Sequence, residues 1–130
     1  MKILIVEDDP SMIDLYRVWL KTTKAEVDYC DNSFKVANKI LTGEIREYDL
    51  LIVDLKLEGS KDGDKVVDLL RDIELSEKEK TPILFLSGHI SDEIKDKYKN
   101  KKYINLLEKT AVNSEVFRNK ILETITGLEG

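Results

Sequence analysis

Short uninterrupted apolar runs alternate along this chain with longer stretches in which apolar residues recur three and four positions apart. The runs are Ile3-Leu4-Ile5-Val6, Leu50-Leu51-Ile52-Val53, Ile83-Leu84-Phe85-Leu86 and Leu106-Leu107. Runs of this kind, rich in Ile, Val and Leu, belong to strands covered on both faces, the situation of inner strands in a parallel sheet. The first run is followed by Asp9-Pro10, a cap and then a proline at the first helical position. Met12, Leu15, Tyr16 and Trp19 then recur at helical spacing and predict one buried face. Glu26 to Cys30 reads as a shorter, more polar edge strand, and the next helix runs from about Ser33 to Thr42 and stops at Gly43. A third helix carries Val66, Leu69, Leu70 and Ile73 on one face. Thr81-Pro82 opens the fourth strand, where a proline is tolerated. Between Ser91 and Asn100 only Ile94 and Tyr98 are placed for burial, so the fourth helix is expected to pack thinly. Tyr103 to Leu107 predicts the fifth strand, and a last helix from about Asn113 to Thr126 buries Phe117, Ile121 and Ile125. Repeated βα units of this kind, joined by right-handed crossovers, make an α/β fold on a parallel sheet, here with five strands and five helices.

The polar residues that end the strands change the picture from fold to chemistry. The first run closes on Glu7 and Asp8, the third strand on Asp54, the fourth on Ser87, and Leu106-Leu107-Glu108 on Lys109. In a parallel sheet these positions share one edge, and ligands bind beyond the carboxyl ends of the strands. Three carboxylates there are costly: two like charges about 4 Å apart repel by roughly 1 kcal/mol in water and roughly 4 kcal/mol at a protein-like dielectric. A divalent cation removes that repulsion, and hard oxygens without a Cys or a close His suit Mg²⁺. In this reading Asp54 is a nucleophile toward phosphorus, Lys109 neutralises charge on the transferred oxygens, and Ser87 donates a hydrogen bond to another of them. Asp9, directly before Pro10, is read as a helix cap and left out of the metal set. His89, two residues past Ser87, is read as a neighbour of the site.

Composition narrows the class further. A chain of 130 residues is expected to form one domain, residues 1–130, with a core that needs no disulfide or metal staple. Its 26 acidic and 21 basic side chains leave a net charge of -5, which carries no footprint of nucleic-acid binding. Cys30 is the sole cysteine, so no intrachain bridge forms and a reducing compartment is expected. The apolar stretch at the N-terminus is too short for a signal peptide or membrane span, and the chain is read as cytoplasmic. Lys95, Lys97, Lys99, Lys101 and Lys102 form a basic patch around the fourth helix, either a solvated face or an interface for an acidic partner.

Taken together, these segments resemble the receiver domain of two-component response regulators over essentially the whole chain. Lys2 to Pro10 resembles the opening strand and acidic pair, and Leu51 to Leu55 the phosphoacceptor strand. Pro82 to Gly88 resembles the strand with the hydroxyl residue, and Leu106 to Lys109 the lysine segment. The resemblance implies a flavodoxin-like, doubly wound sheet of strand order 2-1-3-4-5. It implies Mg²⁺ held by Glu7, Asp8, Asp54 and the backbone carbonyl of Lys56, and phosphorylation of Asp54. The donor would be a histidine kinase or histidine phosphotransfer protein, and the acyl phosphate would be lost by self-hydrolysis, so the domain signals and is not an enzyme in the usual sense. The output would be a changed surface around the fourth helix, fifth strand and fifth helix, read by a downstream protein or output domain. Lys56 and His89 fall at the two positions that in this family influence how fast water removes the phosphoryl group.

Several positions depart from the family pattern. Thr110 follows Lys109 where the family usually has a proline with a cis bond, and a trans bond is expected, since a cis peptide before a non-proline costs about 2.5–4 kcal/mol. Leu106 stands where an inward-swinging aromatic ring is common, and Tyr103 is not at the matching position. Glu58 replaces a frequent proline, and Gly63 implies a loop one residue longer. Two alternatives stand beside the receiver: a Mg²⁺-dependent phosphohydrolase, and a degenerate receiver used only as a binding module. The first wants Asp-x-Asp, which Asp54-Leu55-Lys56 lacks.

Overall fold

The computed structural model describes residues 1–55, 80–101 and 103–127. Its strands are β1 (Lys2–Val6), β2 (Glu26–Cys30), β3 (Leu50–Asp54), β4 (Ile83–Ser87) and β5 (Ile104–Glu108). The described helices are α1 (Pro10–Leu20), α2 (Ser33–Thr42), α3 (Asp92–Tyr98) and α4 (Ser114–Thr126). The helix predicted around Val66, Leu69, Leu70 and Ile73 lies outside the described residues, as do Lys56, Glu58 and Gly63, so α3 and α4 correspond to the fourth and fifth predicted helices.

All five strands are parallel and stand in the order β2-β1-β3-β4-β5, the flavodoxin-like arrangement, with the polar strand β2 at an edge. Side chains alternate between the faces of a strand. Leu4, Val6, Leu51, Val53, Ile83 and Phe85 therefore pack on one side, against Val36 and Ile40 of α2 and Tyr98 of α3. Ile3, Ile5, Leu50, Ile52, Leu84 and Leu86 pack on the other, against Tyr16 and Leu20 of α1 and Phe117 and Ile121 of α4. Helices on both faces explain why the inner strands read as unbroken apolar runs rather than as alternating ones.

Side-chain caps fix where the helices start. Asp9 accepts from the Ser11 backbone N–H at 2.9 Å and from the Ser11 hydroxyl at 2.7 Å, with Pro10 opening α1. Asn32, Ser91 and Asn113 accept in the same manner from the backbone of Lys35, Ile94 and Val116. Each satisfies a backbone donor that has no partner within its helix. Gly43, at φ +82°, ends α2 in the left-handed conformation that glycine adopts without steric cost.

Two expectations need correction. Leu15 is 42% exposed, and the buried face of α1 is instead Tyr16 and Leu20 with Met12 and Trp19 half-buried. At about 100° per residue Leu15 falls roughly 60° to one side of Met12, while Tyr16 and Leu20 fall on the other, and the helix is rolled toward them. Tyr103 does not open β5, because its φ of +65° is incompatible with extended backbone; the strand begins at Ile104. The thin packing expected of α3 is found: Tyr98 is its buried residue, tilted on Phe85 with ring centroids 5.0 Å apart, and Ile94 is partly buried.

The Tyr103 ring lies over Gly127, the residue that ends α4 at φ +76°. A Cβ there would stand 3.0 Å from the ring edge. Gly127→Ala is expected to cost about 1–2 kcal/mol from the left-handed backbone and the crowding together. Urea denaturation checks this, and an unshifted midpoint would contradict it.

Candidate functional site

Strand register assembles the site. Val6 of β1 pairs with Val53 of β3, so Glu7 and Asp54, one residue further along each strand, come level at the carboxyl edge. Asp54 pairs with Leu86, and Ser87 with Glu108, which places Ser87 and Lys109 one step beyond on the two neighbouring strands. Lys109 then begins a short 3-10 turn, Lys109–Ala111. Glu7 is fully buried, Asp54 and Ser87 nearly so, and Asp8 partly.

Glu7, Asp8 and Asp54 each place one oxygen within 4.8 Å of the others. The Lys109 ammonium reaches into this cluster, 3.0 Å from Glu7 Oε1 and 3.2 Å from Asp54 Oδ2. Its side chain is only 18% exposed, so the two bonds act largely out of water. Burial pushes the Glu7 carboxyl up to about 7, a rise reinforced by the Asp54 carboxylate and opposed by Lys109. Burial works against the Lys109 ammonium, yet its contacts with Glu7 and Asp54 outweigh that and hold it above its ordinary value.

Tyr16 was legible in the sequence only as a core residue of α1, and the structure makes it a member of the site. Its hydroxyl donates to Glu7 Oε1 at 2.8 Å. Burial, and then the Glu7 charge, push its phenol far above the usual range, so it keeps its proton and remains a donor. The signal available beforehand was general: a buried tyrosine hydroxyl needs a polar partner, and the first strand ends in acids.

Of the remaining candidates, Ser87 and His89 are among the described residues and Lys56 is not. Ser87 donates from Oγ to the carbonyl oxygen of His89 at 2.9 Å. His89 is exposed, so it meets the site through its backbone. Asp9 serves as the α1 cap, and Lys56 lies outside the described residues. The Lys109–Thr110 bond is trans, since no cis peptide occurs among the described residues. Leu106 packs half-buried against the core beneath α3.

The cluster fits a Mg²⁺ ion. Its donors are hard carboxylate oxygens, and Glu7 Oε2 is buried without a hydrogen-bond partner among the described residues. An unsatisfied anionic oxygen in that position is expensive unless a cation or proton meets it.

The family comparison decides what this edge belongs to: the model of the response regulator receiver domain matches residues 3–121. The chain belongs to that family. Solved structures agree on the fold. A signal receiver domain of a putative Luxo repressor protein from Vibrio parahaemolyticus is 21% identical, with a TM-score of 0.77 over 96% of this chain and 89% of that one. Chemotaxis protein CheY4 from Vibrio cholerae is 23% identical, with a TM-score of 0.74 over 95% and 97%. A response regulator receiver protein from Sinorhizobium medicae is 19% identical, with a TM-score of 0.78 over 99% and 97%. The comparison with curated proteins returned no match. Receiver domains are signalling modules of two-component systems, working with histidine kinases or phosphotransfer proteins and binding Mg²⁺ in an acidic site. This receiver carries the carboxylate cluster such a site requires.

A second feature of the receiver lies away from the sheet edge. A cleft of about 380 Å³ between α3, β5 and α4 is lined by Lys95, Lys99, Lys101 and Lys120 with Asn105 and Leu106. It contains part of the basic patch expected from the sequence; Lys102 is outside the described residues. Among the described residues no helix is long and apolar enough to cross a membrane.

Proposed function

We propose that this chain, as a single receiver domain, takes a phosphoryl group onto Asp54 from a phosphohistidine of a kinase or phosphotransfer protein. The observation that carries the reading is the Lys109 ammonium bonded to both Glu7 and Asp54 beside a Glu7 oxygen that has no partner among the described residues. A carboxylate poised next to fixed positive charge, with room in its charge balance for a dication, is arranged for phosphoryl transfer.

An Asp54 carboxylate oxygen attacks phosphorus, the bond from phosphorus to the donor imidazole breaks, and its electron pair returns to the ring nitrogen. Lys109 turns its ammonium from the Asp54 carboxylate toward the oxygens of the incoming group and neutralises charge on them. Mg²⁺, when bound by Glu7, Asp8, Asp54 and the Lys56 carbonyl, supplies further positive charge to those oxygens. Ser87 donates its hydroxyl to another of them, and to do so leaves the His89 carbonyl. That releases the His89 carbonyl, two residues before the Ser91 cap of α3, while Ile90 stays buried with its N–H directed at Glu108 Oε1.

The thin attachment of α3 then makes it the element that moves. With Leu106 in the place of an aromatic toggle, the packed pair Phe85 and Tyr98 links the sheet to α3. The altered α3, β5 and α4 surface, with its lysine-lined cleft, is read by a downstream protein or output domain. Hydrolysis resets the state when water attacks phosphorus and the bond to Asp54 breaks, at a rate tuned by Lys56 and His89. Mg²⁺ dependence, a cytoplasmic location and the absence of nucleic-acid binding belong to the same reading.

Incubation with a small acyl phosphate donor tests it. Intact-mass measurement is expected to show one phosphate gained by the wild type with Mg²⁺, none with chelator, and none by Asp54→Asn. Equal gain in wild type and variant would move the acceptor elsewhere.

A further inference from the structure

We propose that Tyr16 is a positioning residue for the metal-binding carboxylate, acting through Glu7; this rests on the receiver reading and extends it to a residue on α1. Glu7 Oε1 accepts two hydrogen bonds, from the Tyr16 hydroxyl at 2.8 Å and from Lys109 Nζ at 3.0 Å. Glu7 Oε2 accepts none among the described residues, although it is buried. The two donors thereby divide the carboxylate into a tethered oxygen and an open one. With Oε1 held on the side of α1 and Lys109, Oε2 is the oxygen left for a cation shared with Asp8 and Asp54.

Tyr16 is suited to hold a carboxylate in one orientation because its own ring cannot wander. It is 1% exposed, stacked on Phe117 with centroids 5.7 Å apart and met edge-on by Trp19 at 5.9 Å. Lys109 alone is a weaker guide. Its ammonium also bonds Asp54, is carried by a flexible stem, and has to follow the phosphoryl oxygens during transfer. Outer hydrogen bonds of this kind orient metal ligands, and their loss commonly weakens metal binding without touching the ligands themselves. A helix packed on one face of the sheet thus reaches around the strand edge to set the geometry of the site.

Isothermal titration with Mg²⁺, with no phosphodonor present, reads this directly. Tyr16→Phe keeps the ring and removes the hydroxyl, and is expected to weaken Mg²⁺ binding on the order of tenfold. Phosphate uptake should then need correspondingly more Mg²⁺ while its rate at saturating Mg²⁺ stays near wild type. In a Glu7→Gln background the same substitution is expected to change Mg²⁺ affinity little, because the residue through which Tyr16 acts is altered. Unchanged affinity in the single variant, or an equal loss in both backgrounds, would overturn the proposal. Wild type that binds no Mg²⁺ would instead overturn the receiver reading beneath it. In unmutated protein the ¹³Cζ resonance of Tyr16 should shift on Mg²⁺ addition, which keeps the test open if Tyr16→Phe fails to fold; a resonance that does not move would contradict the link.

Discussion

Lys109→Met is expected to slow phosphate uptake from a small donor by about 10²–10³-fold at saturating Mg²⁺, the scale on which loss of one preorganised charge-stabilising donor is felt. The ammonium is the positive charge that the described residues bring to the centre of the carboxylate cluster, bonded to Glu7 at 3.0 Å and to Asp54 at 3.2 Å. Methionine keeps much of the stem and its packing and removes the charge. It also leaves a fully buried Glu7 beside Asp54 with the Tyr16 hydroxyl as the remaining donor to Oε1 among the described residues. Breaking a buried pair from one side commonly costs about 3–5 kcal/mol, but Glu7 can escape part of that by taking up a proton. Stopped-flow or timed intact-mass measurements give the rate, and a melting curve alongside shows that the variant is folded. A rate within tenfold of wild type would remove Lys109 from the chemistry.

The second large effect is a dependence of stability on pH that Mg²⁺ cancels. Glu7 titrates at about 7 in the folded protein against an ordinary value of 4.5, raised chiefly by burial and then by Asp54. Between these values the folded state holds a proton that the unfolded state has released, so stability falls as pH rises. The contribution is fully present below about pH 4.5 and is lost as pH passes through about 7. The shift corresponds to about 3 kcal/mol in chelator. Lys109 stays charged across the whole window and does not offset the loss. Glu7, Asp8 and Asp54 would hold Mg²⁺ best with Glu7 ionised, so at a hundredfold excess over its dissociation constant the ion would restore about 2.7 kcal/mol. Urea titrations at pH 5 and pH 8, each with chelator and with Mg²⁺, check the sign. Stability that rises with pH in chelator, or Mg²⁺ that stabilises equally at both values, would contradict the assignment of Glu7.

How far the residues foretold this arrangement follows from the kind of signal each carries. The inner strands were readable because a parallel sheet covered on both faces demands unbroken apolar runs, and Ile3 to Val6, Leu50 to Val53 and Ile83 to Leu86 meet that demand. The start of α1 was readable because Asp9, before Pro10, carries a short oxygen side chain that bonds a free backbone donor, and the structure adds Ser91 and Asn113 as caps of the same kind. Glu7, Asp54, Ser87 and Lys109 could be grouped because strand ends in such a sheet share one edge, which needs no knowledge of side-chain contacts.

What escaped depended on three-dimensional particulars. Leu15 and Leu20 lie on opposite margins of one helical stripe, and the roll of α1 that exposes the first and buries the second is set by how α1 packs with α4 on the sheet. The left-handed Tyr103 was hidden because nothing local in the sequence requires it; its ring position over Gly127 is a tertiary contact. Tyr16 was hidden for a different reason: its apolar ring satisfies the core pattern completely, so its hydroxyl had no separate signature. The partner of that hydroxyl, nine residues earlier, is fixed only by where α1 lies across the sheet.

Asp54 is the proposed carrier of the phosphoryl group, as an acyl phosphate. Borohydride reduction of the phosphorylated protein, followed by peptide mapping, tests it most directly, because hydride converts an aspartyl phosphate to homoserine and leaves free aspartate unchanged. Homoserine is expected at position 54 in wild type treated with donor and Mg²⁺, and aspartate there when either is withheld. Homoserine at Asp8 or another aspartate, or phosphate that survives reduction on a hydroxyl such as Ser87, would contradict it.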